Sequence, residues 1–300
     1  MGDSPAPART SSRALVLGGG GVAGIAWELG VLAGLADEGV DVTGAELIVG
    51  TSAGSAVAAQ ISSSASLDDL FARQLVPAEQ SGELMADLDL DALLAMFGSA
   101  LRAAKTPAEM RAAIGQAALA AETVPEAARR AVIEHRLPDH TWAAGRDLRI
   151  VAADAETGET RVFTRDDGVS IVDAVAASCA VPGVWPPVTI EGHRYIDGGV
   201  RSSTNADLAA GCAVILILAP VDDIAGIADA TVSAAIQRLS DSAAVTWVRP
   251  DEASLAAIGT NPLDPATREP AAKAGRAQGC VIAAEVGAAW ATTADTSRRG

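Results

Sequence analysis

The residues with the clearest chemical potential in this chain surround Ser52. Gly50 and Gly54 flank the serine, a short apolar run precedes it at residues 47–49, and a helix-prone segment follows at residues 53–61. A serine on a sharp turn between a strand and a helix is presented as a nucleophile, because flanking glycines carry no side chain to collide with the neighbouring elements. Free N–H groups at the helix N-terminus could stabilise a developing oxyanion. The pattern predicts acyl-transfer chemistry at Ser52, although a Gly/Ser-rich strand-to-helix loop would look the same.

A run of four glycines, residues 18–21, follows an apolar segment and has two interpretations. Gly19, Gly21 and Gly24 satisfy the Gly-x-Gly-x-x-Gly fingerprint of dinucleotide-binding proteins. That interpretation also requires an acidic residue at the end of the second strand, and this chain has none there. In the second interpretation, the backbone N–H groups of the run face Ser52 and form an oxyanion hole. We favour the oxyanion hole.

A nucleophilic serine needs a base, and the best candidate is Asp197. It ends an apolar, strand-like segment and is followed by Gly198 and Gly199, which leave the backbone around it open. An Asp-Gly turn of no catalytic importance would have the same sequence. The only other candidate is His193, but as a neighbour on the same strand it would lie about 13 Å from Asp197. A triad through His193 would therefore need another acid, such as Asp154.

These motifs, taken in order, resemble those of patatin-like phospholipases. The resemblance rests on the glycine run, on Gly-Thr-Ser-Ala-Gly at residues 50–54 and on Asp-Gly-Gly at residues 197–199. It also rests on residues 177–188, which look like the family's A-S-x-A-x-P-x-x-F-P-P motif with Trp185 at the usual Phe. Together they cover roughly residues 13–218. Four motifs in order are far more specific than any one of them.

The resemblance implies a lipid acyl hydrolase that cleaves carboxylic esters through a Ser–Asp dyad and an acyl-enzyme, with no metal or cofactor. By that match, Ser52 and Asp197 are catalytic, and the oxyanion hole is formed at Gly19, Gly20, Gly21 and Ala53. Gly24, Gly50, Gly54, Gly198 and Gly199 support the motifs. The family usually has Arg or Lys where this chain has Ala23, so a preference for phospholipid head groups does not follow.

The elements that must position these residues are those of an α/β protein. The resemblance implies a three-layer α/β/α sandwich with a mostly parallel central sheet, and the strand and helix signals agree. We expect one domain at residues 13–291, in which residues 62–145 form a helical insertion or cap over an apolar groove for the acyl chain. We expect a disordered tail at residues 1–12 and a flexible one at residues 292–300.

The composition and net charge limit the classes of molecule that this chain is expected to bind. Of 300 residues, 49% are apolar and 3% aromatic, and the net charge is −16. So acidic a chain is a poor ligand for nucleic acid or anionic lipid, so we expect an acyl lipid or ester substrate and at most transient contact with a membrane surface. We expect a cytoplasmic protein, because no secretory signal opens the chain and the cysteines Cys179, Cys212 and Cys280 suggest no disulfide pattern.

Two other functions stay open at this stage. One is a non-catalytic acyl- or lipid-binding protein on the same fold. The other is a dinucleotide-binding protein that uses the glycine run.

Overall fold

The computed structural model describes residues 12–86, 90–221 and 231–292 of the chain. Within these ranges one sheet of eight strands lies between two layers of helices. The strands are β1 Arg13–Leu17, β2 Leu47–Thr51, β3 Asp147–Asp154, β4 Thr160–Phe163, β5 Val188–Ile190, β6 His193–Asp197, β7 Val214–Leu218 and β8 Ala244–Val248. The sheet has the order β5-β6-β3-β2-β1-β7-β8, and β4 also pairs with β3.

Ten helices surround this sheet in the described ranges. They are α1 Gly21–Asp37, α2 Ala53–Ile61, α3 Leu67–Gln74, α4 Leu90–Ala103, α5 Pro107–Ala120, α6 Glu126–Arg136, α7 Ile171–Ser178, α8 Val232–Leu239, α9 Glu252–Ile258 and α10 Arg268–Trp290. Five of them, α2 to α6, lie between β2 and β3 in the chain.

The sheet is parallel at its centre and antiparallel at one side. Strands β8, β7, β1, β2 and β3 run parallel to one another, as buried apolar strands joined by helices should. In contrast, β6 runs antiparallel to β3, and β5 and β6 form a hairpin. This reversal brings the C-terminal end of β6 back beside the middle of β3.

Alternating side chains of β1 show how both faces are covered. Leu15 and Leu17 pack in a core built with α1, α2, α7 and α10. Ala14 and Val16 point the other way, into a second core shared with α8. On that second side α5 also packs on the sheet, where Ile114 joins a smaller cluster with residues of β3 and β6. The result is a three-layer α/β/α sandwich.

The apolar run at residues 47–49 and the helix-prone segment at residues 53–61 form β2 and α2, as the sequence predicted. Near the C-terminal end of the sheet, α8 ends at Leu239 and β8 begins at Ala244, because residues 244–248 pair with β7. The short helix α9 was not predicted; its signal is Asp251, whose side chain accepts the N–H of Ser254 as an N-cap. The expected tails fall almost wholly outside the described residues.

Two other findings concern the burial of the cysteines and the character of the helices. Cys179 and Cys212 are buried, whereas Cys280 is only partly buried. Among the described helices, none has both the length and the apolar character that crossing a bilayer requires.

Candidate active site

Ser52 lies on a sharp turn between β2 and α2. Its backbone angles are φ 53° and ψ −117°, and it is one of three described non-glycine residues with positive φ. A residue in such a conformation costs on the order of 1–3 kcal/mol and persists only where its surroundings impose it. Its side chain is not sealed off completely, because Ser52 retains 8% of its exposure. Ser52 therefore remains partly accessible at this turn, where it lines a small cavity.

Three side chains hold the backbone of this turn. The Ser52 N–H donates to Ser178 Oγ over 2.9 Å. The Ser52 carbonyl accepts from Ser55 Oγ at 2.6 Å and from Cys179 Sγ at 3.1 Å. Ser178 Oγ in turn donates to the carbonyl of Val151 in β3 at 2.6 Å. Ser178 and Cys179 thus have structural contacts, in agreement with the absence of a nucleophile motif around them.

The glycines on either side of Ser52 permit the close approach of strand and helix. A Cβ on Gly50 would lie 2.6 Å from the Ser55 Cα, and one on Gly54 would overlap the carbonyl of Leu17. Gly24 lies on the facing side, where a Cβ would meet that of Ala53 at 3.3 Å. These positions are thus constrained by backbone packing.

Strand register brings Asp197 to Ser52. Thr51 pairs with Val151 across β2 and β3, and the next residue of β3, Ala152, pairs with Asp197 across β3 and β6. Residues 145 positions apart in sequence therefore meet across a single strand. Gly198 is required here because a Cβ would overlap the Val151 carbonyl.

Asp197 is buried, with 4% of its surface exposed. Its Oδ1 accepts the N–H of Gly199 at 2.7 Å, whereas Oδ2 is buried and has no hydrogen-bond partner in the described ranges. Burial raises the pKa of this carboxyl to about 6, while the Ser52 side chain and the Gly199 amide act in the opposite direction. The Ser52 hydroxyl is thus close enough to Asp197 to stabilise the ionised form of its carboxyl.

The glycine run supplies fewer free amides than the sequence suggested. The Gly18 N–H donates to the Leu218 carbonyl and the Gly19 N–H donates to the Ser203 carbonyl, over 3.0 and 2.8 Å. The Gly19 N–H group already donates a hydrogen bond, so it is not free to act as an oxyanion donor in this conformation. Its Cα still lies against Ser52, since a Cβ there would be 3.5 Å from the Ser52 Cβ.

Three other N–H groups have no acceptor in the described part of the chain: those of Gly20, Gly21 and Ala53. Gly21 and Ala53 are the first residues of α1 and α2, where helix N–H groups lack an internal partner. Gly21 has φ 62°, and a Cβ there would lie 2.5 Å from the Pro262 carbonyl oxygen. These amides are the free donors beside Ser52.

Two residues that position the site were missed in the sequence. Glu28, in α1, is fully buried and its Oε1 accepts the Gly18 N–H at 2.8 Å, so it fixes the start of the glycine run. Burial raises the pKa of its carboxyl well above the usual range. Its signal was visible, because it is the one charged residue among residues 22–35.

The second missed residue is Asn205, which joins the ends of β2 and β6. Its Nδ2 lies 3.0 Å from Thr51 Oγ1 and 3.3 Å from the Gly198 carbonyl. Thr51 ends β2, so a buried hydroxyl and not a carboxylate occupies the position where a dinucleotide-binding protein would hold a ribose. No pattern in the sequence around Asn205 predicts these contacts.

His193 and Asp154 do form the pair considered for an alternative triad. Nδ1 of His193 lies 3.3 Å from Oδ2 of Asp154, but the His193 side chain is 64% exposed. It stands at the opposite end of β6 from Asp197. The pair is a surface contact away from Ser52.

The cavity beside Ser52 is small and covered. Its volume is about 20 Å³, and its walls include Leu84, Trp185, Leu263 and Arg129. Next to it lies a larger cavity of about 690 Å³ that shares the residues Val22, Ile25 and Arg136. The larger cavity is lined by Arg73, Gln74, Glu83, His135, Arg136 and Arg268 among others. Polar and apolar side chains contribute about equally to the walls of this cavity, so the expected apolar groove beneath the inserted helices stays a prediction.

Comparison with known proteins adds a family match. The family described as Patatin-like phospholipase matches residues 15–210 of this chain. Among solved structures, VipD from Legionella pneumophila is 14% identical with a TM-score of 0.43, over 93% of this chain and 67% of its own. The type III effector protein ExoU is 15% identical with a TM-score of 0.37, over 92% of this chain. This chain spans 53% of the ExoU chain.

Proposed function

This chain belongs to the patatin-like phospholipase family, and from that premise we propose that it hydrolyses carboxylic esters of acyl lipids with a Ser52–Asp197 dyad. The proposal rests above all on one observation: a serine on a strained turn lies beside a buried carboxyl whose pKa is raised to about 6. A carboxylate at that pKa is ionised at neutral pH and still basic enough to accept a proton.

In the first half-reaction, Ser52 Oγ attacks the ester carbonyl carbon while Asp197 accepts the hydroxyl proton. The negative charge that develops on the carbonyl oxygen is stabilised by the N–H groups of Gly20, Gly21 and Ala53. The intermediate collapses, the C–O bond to the alcohol breaks, and Asp197 returns its proton to the departing oxygen. The acyl group is left on Ser52.

In the second half-reaction, water replaces the alcohol. Asp197 accepts a proton from water as the water oxygen attacks the acyl-enzyme, and a second oxyanion forms at the same amides. Collapse breaks the bond to Ser52 Oγ, which recovers the proton from Asp197. The products are a fatty acid and an alcohol, and no metal or cofactor enters the scheme.

The test is active-site labelling and turnover with three variants. A fluorophosphonate should label the wild type and not Ser52→Ala, and Asp197→Asn should lose at least about 10³-fold in the kcat of a short-chain nitrophenyl ester. Ser240→Ala, on the exposed end of α8, is the control and should behave as wild type. Equal labelling of Ser52→Ala would refute the assignment, and a folded wild type without turnover would favour a binding protein instead.

A further inference from the structure

Arg129 is a buried arginine without hydrogen-bond partners at two of its nitrogens. It lies on α6, is 5% exposed, and its Nε and Nη1 are buried with no acceptor among the described residues. An ionised group in this situation is costly, because it has lost its hydration without gaining a counter-charge. Such a residue needs an explanation that packing does not provide.

The position of Arg129 relates it to Ser52. Both residues line the small cavity at the catalytic turn. The guanidinium carbon lies 3.9 Å from the ring centroid of Trp185, another wall of that cavity, so stacking holds the group in place. Helix α6 therefore places the planar, positively charged guanidinium of Arg129 beside the site where a substrate ester would bind.

No carboxylate in the described chain neutralises this cation directly. Glu83, a buried acid whose charge attracts Arg129, accepts two hydrogen bonds from Arg136, of 2.8 and 2.6 Å. Asp197 attracts Arg129 but does not hydrogen-bond to it, since Asp197 Oδ2 is also without a partner. Burial and the charge of Arg136 lower the pKa of Arg129 to about 9, so it is still a cation at neutral pH.

We propose that Arg129 is a specificity-determining residue that binds a phosphate group on the alcohol side of the ester attacked by Ser52. This rests on the proposed function. The acyl carbonyl must meet the free amides, so an anion that reaches Arg129 has to come from the rest of the substrate. Phosphate oxygens suit a guanidinium, which offers several N–H donors in one plane.

The substrate test compares two lipids with the same acyl chain, lysophosphatidic acid and the neutral monoacylglycerol. Wild type should prefer the phosphate-bearing lipid in kcat/KM, and Arg129→Met should reduce that preference by at least tenfold, through a KM that rises for the phosphate-bearing lipid and not for the monoacylglycerol. Arg130→Met, an exposed neighbour on α6 paired with Asp173 and Glu134, is the control. An unchanged lipid preference in Arg129→Met would overturn the proposal.

A binding test separates this inference from the catalytic one. In the Ser52→Ala background, dodecyl phosphate should raise the melting temperature, dodecanol should raise it less, and the difference should disappear on adding Arg129→Met. This readout needs no turnover, so it can succeed even if the wild type proves inactive. Equal protection by both compounds, or protection by dodecyl phosphate that survives Arg129→Met, would show that Arg129 does not bind phosphate.

Discussion

At the scale of single residues, burial of Asp197 destabilises its ionised form, which is the form that the proposed reaction needs. A carboxyl with 4% exposure and an oxygen without a partner is more stable in its neutral form, and its pKa rises accordingly to about 6. The same shift makes the carboxylate a stronger base than a solvated aspartate. The proposed dyad therefore uses a group that the folded protein holds at a cost.

The pH dependence of hydrolysis follows from this shift. Asp197 must be ionised to accept the Ser52 proton, so kcat/KM for a neutral ester should fall about tenfold per pH unit below a midpoint near pH 6. The measurement is a pH–rate profile of a short-chain nitrophenyl ester. A profile flat down to pH 4.5 would argue that Asp197 is not the base.

The stability of Asp197→Asn provides the control for that prediction. A raised folded-state pKa means that wild type binds the proton more tightly when folded, so this carboxyl weakens the fold as pH rises from about 4 to about 6. Above pH 6 the penalty is on the order of 3 kcal/mol for a shift of about two units. Asp197→Asn should thus melt higher than wild type at pH 7 and similarly at pH 4.

At the scale of elements, the packing of the long helices α1 and α10 against each other helps to position the glycine run, because α1 begins at its last glycine, Gly21. They cross so closely that a Cβ on Gly34 would lie 2.8 Å from the Cys280 backbone nitrogen, and one on Gly279 would lie 3.0 Å from the Gly34 Cα. Trp27 Nε1 donates to Gln278 Oε1 across the same crossing at 3.0 Å. Because α1 begins at Gly21, the position of the free amides depends on this contact between helices.

A single methyl group at the crossing tests this dependence. Gly34→Ala should lower the free energy of unfolding by about 1–3 kcal/mol, because the helices must separate to admit the side chain. Gly44→Ala is the control, since a Cβ there meets nothing within 4 Å, and its effect should stay within about 0.5 kcal/mol. Urea denaturation measures both, and equal small effects would mean that the crossing tolerates separation.

At the scale of the whole molecule, the inserted helices are part of the main cores. Leu70 of α3 and Ile133 of α6 belong to the core on one face of the sheet, and Met110 of α5 packs on the other with Ile196. We propose accordingly that residues 13–291 form one domain, and that residues 62–145 are an insertion within it. The insertion supplies Leu84 and Arg129 to the cavity beside Ser52.

The overall charge of −16 should oppose contact with anionic membranes. Hydrolysis of one lipid ester should therefore rise severalfold with added salt when the ester is carried in phosphatidylglycerol vesicles, because screening acts over about 10 Å at 0.1 M. In phosphatidylcholine vesicles the rate should change little. A rate on phosphatidylglycerol that falls with salt would instead indicate attraction by a local basic surface.

The sequence alone determined the parts of this protein that depend on local backbone geometry. A strained turn at Ser52 and an open turn after Asp197 require glycine at set neighbouring positions. Both turns can therefore be recognised from the sequence alone. Apolar runs likewise located most of the strands and helices, because burial on both faces leaves few polar positions. The family resemblance followed from the order of these local patterns.

Only the tertiary structure decided which groups around those turns are free and which are occupied. The engagement of the Gly19 amide by Ser203, the bridge made by Asn205 and the cation at Arg129 all depend on residues far apart in the chain. The antiparallel return of β6 decided the meeting of Asp197 with Ser52 in the same way. Hydrogen bonding and burial are set by how elements pack against one another, and that packing has no local sequence pattern.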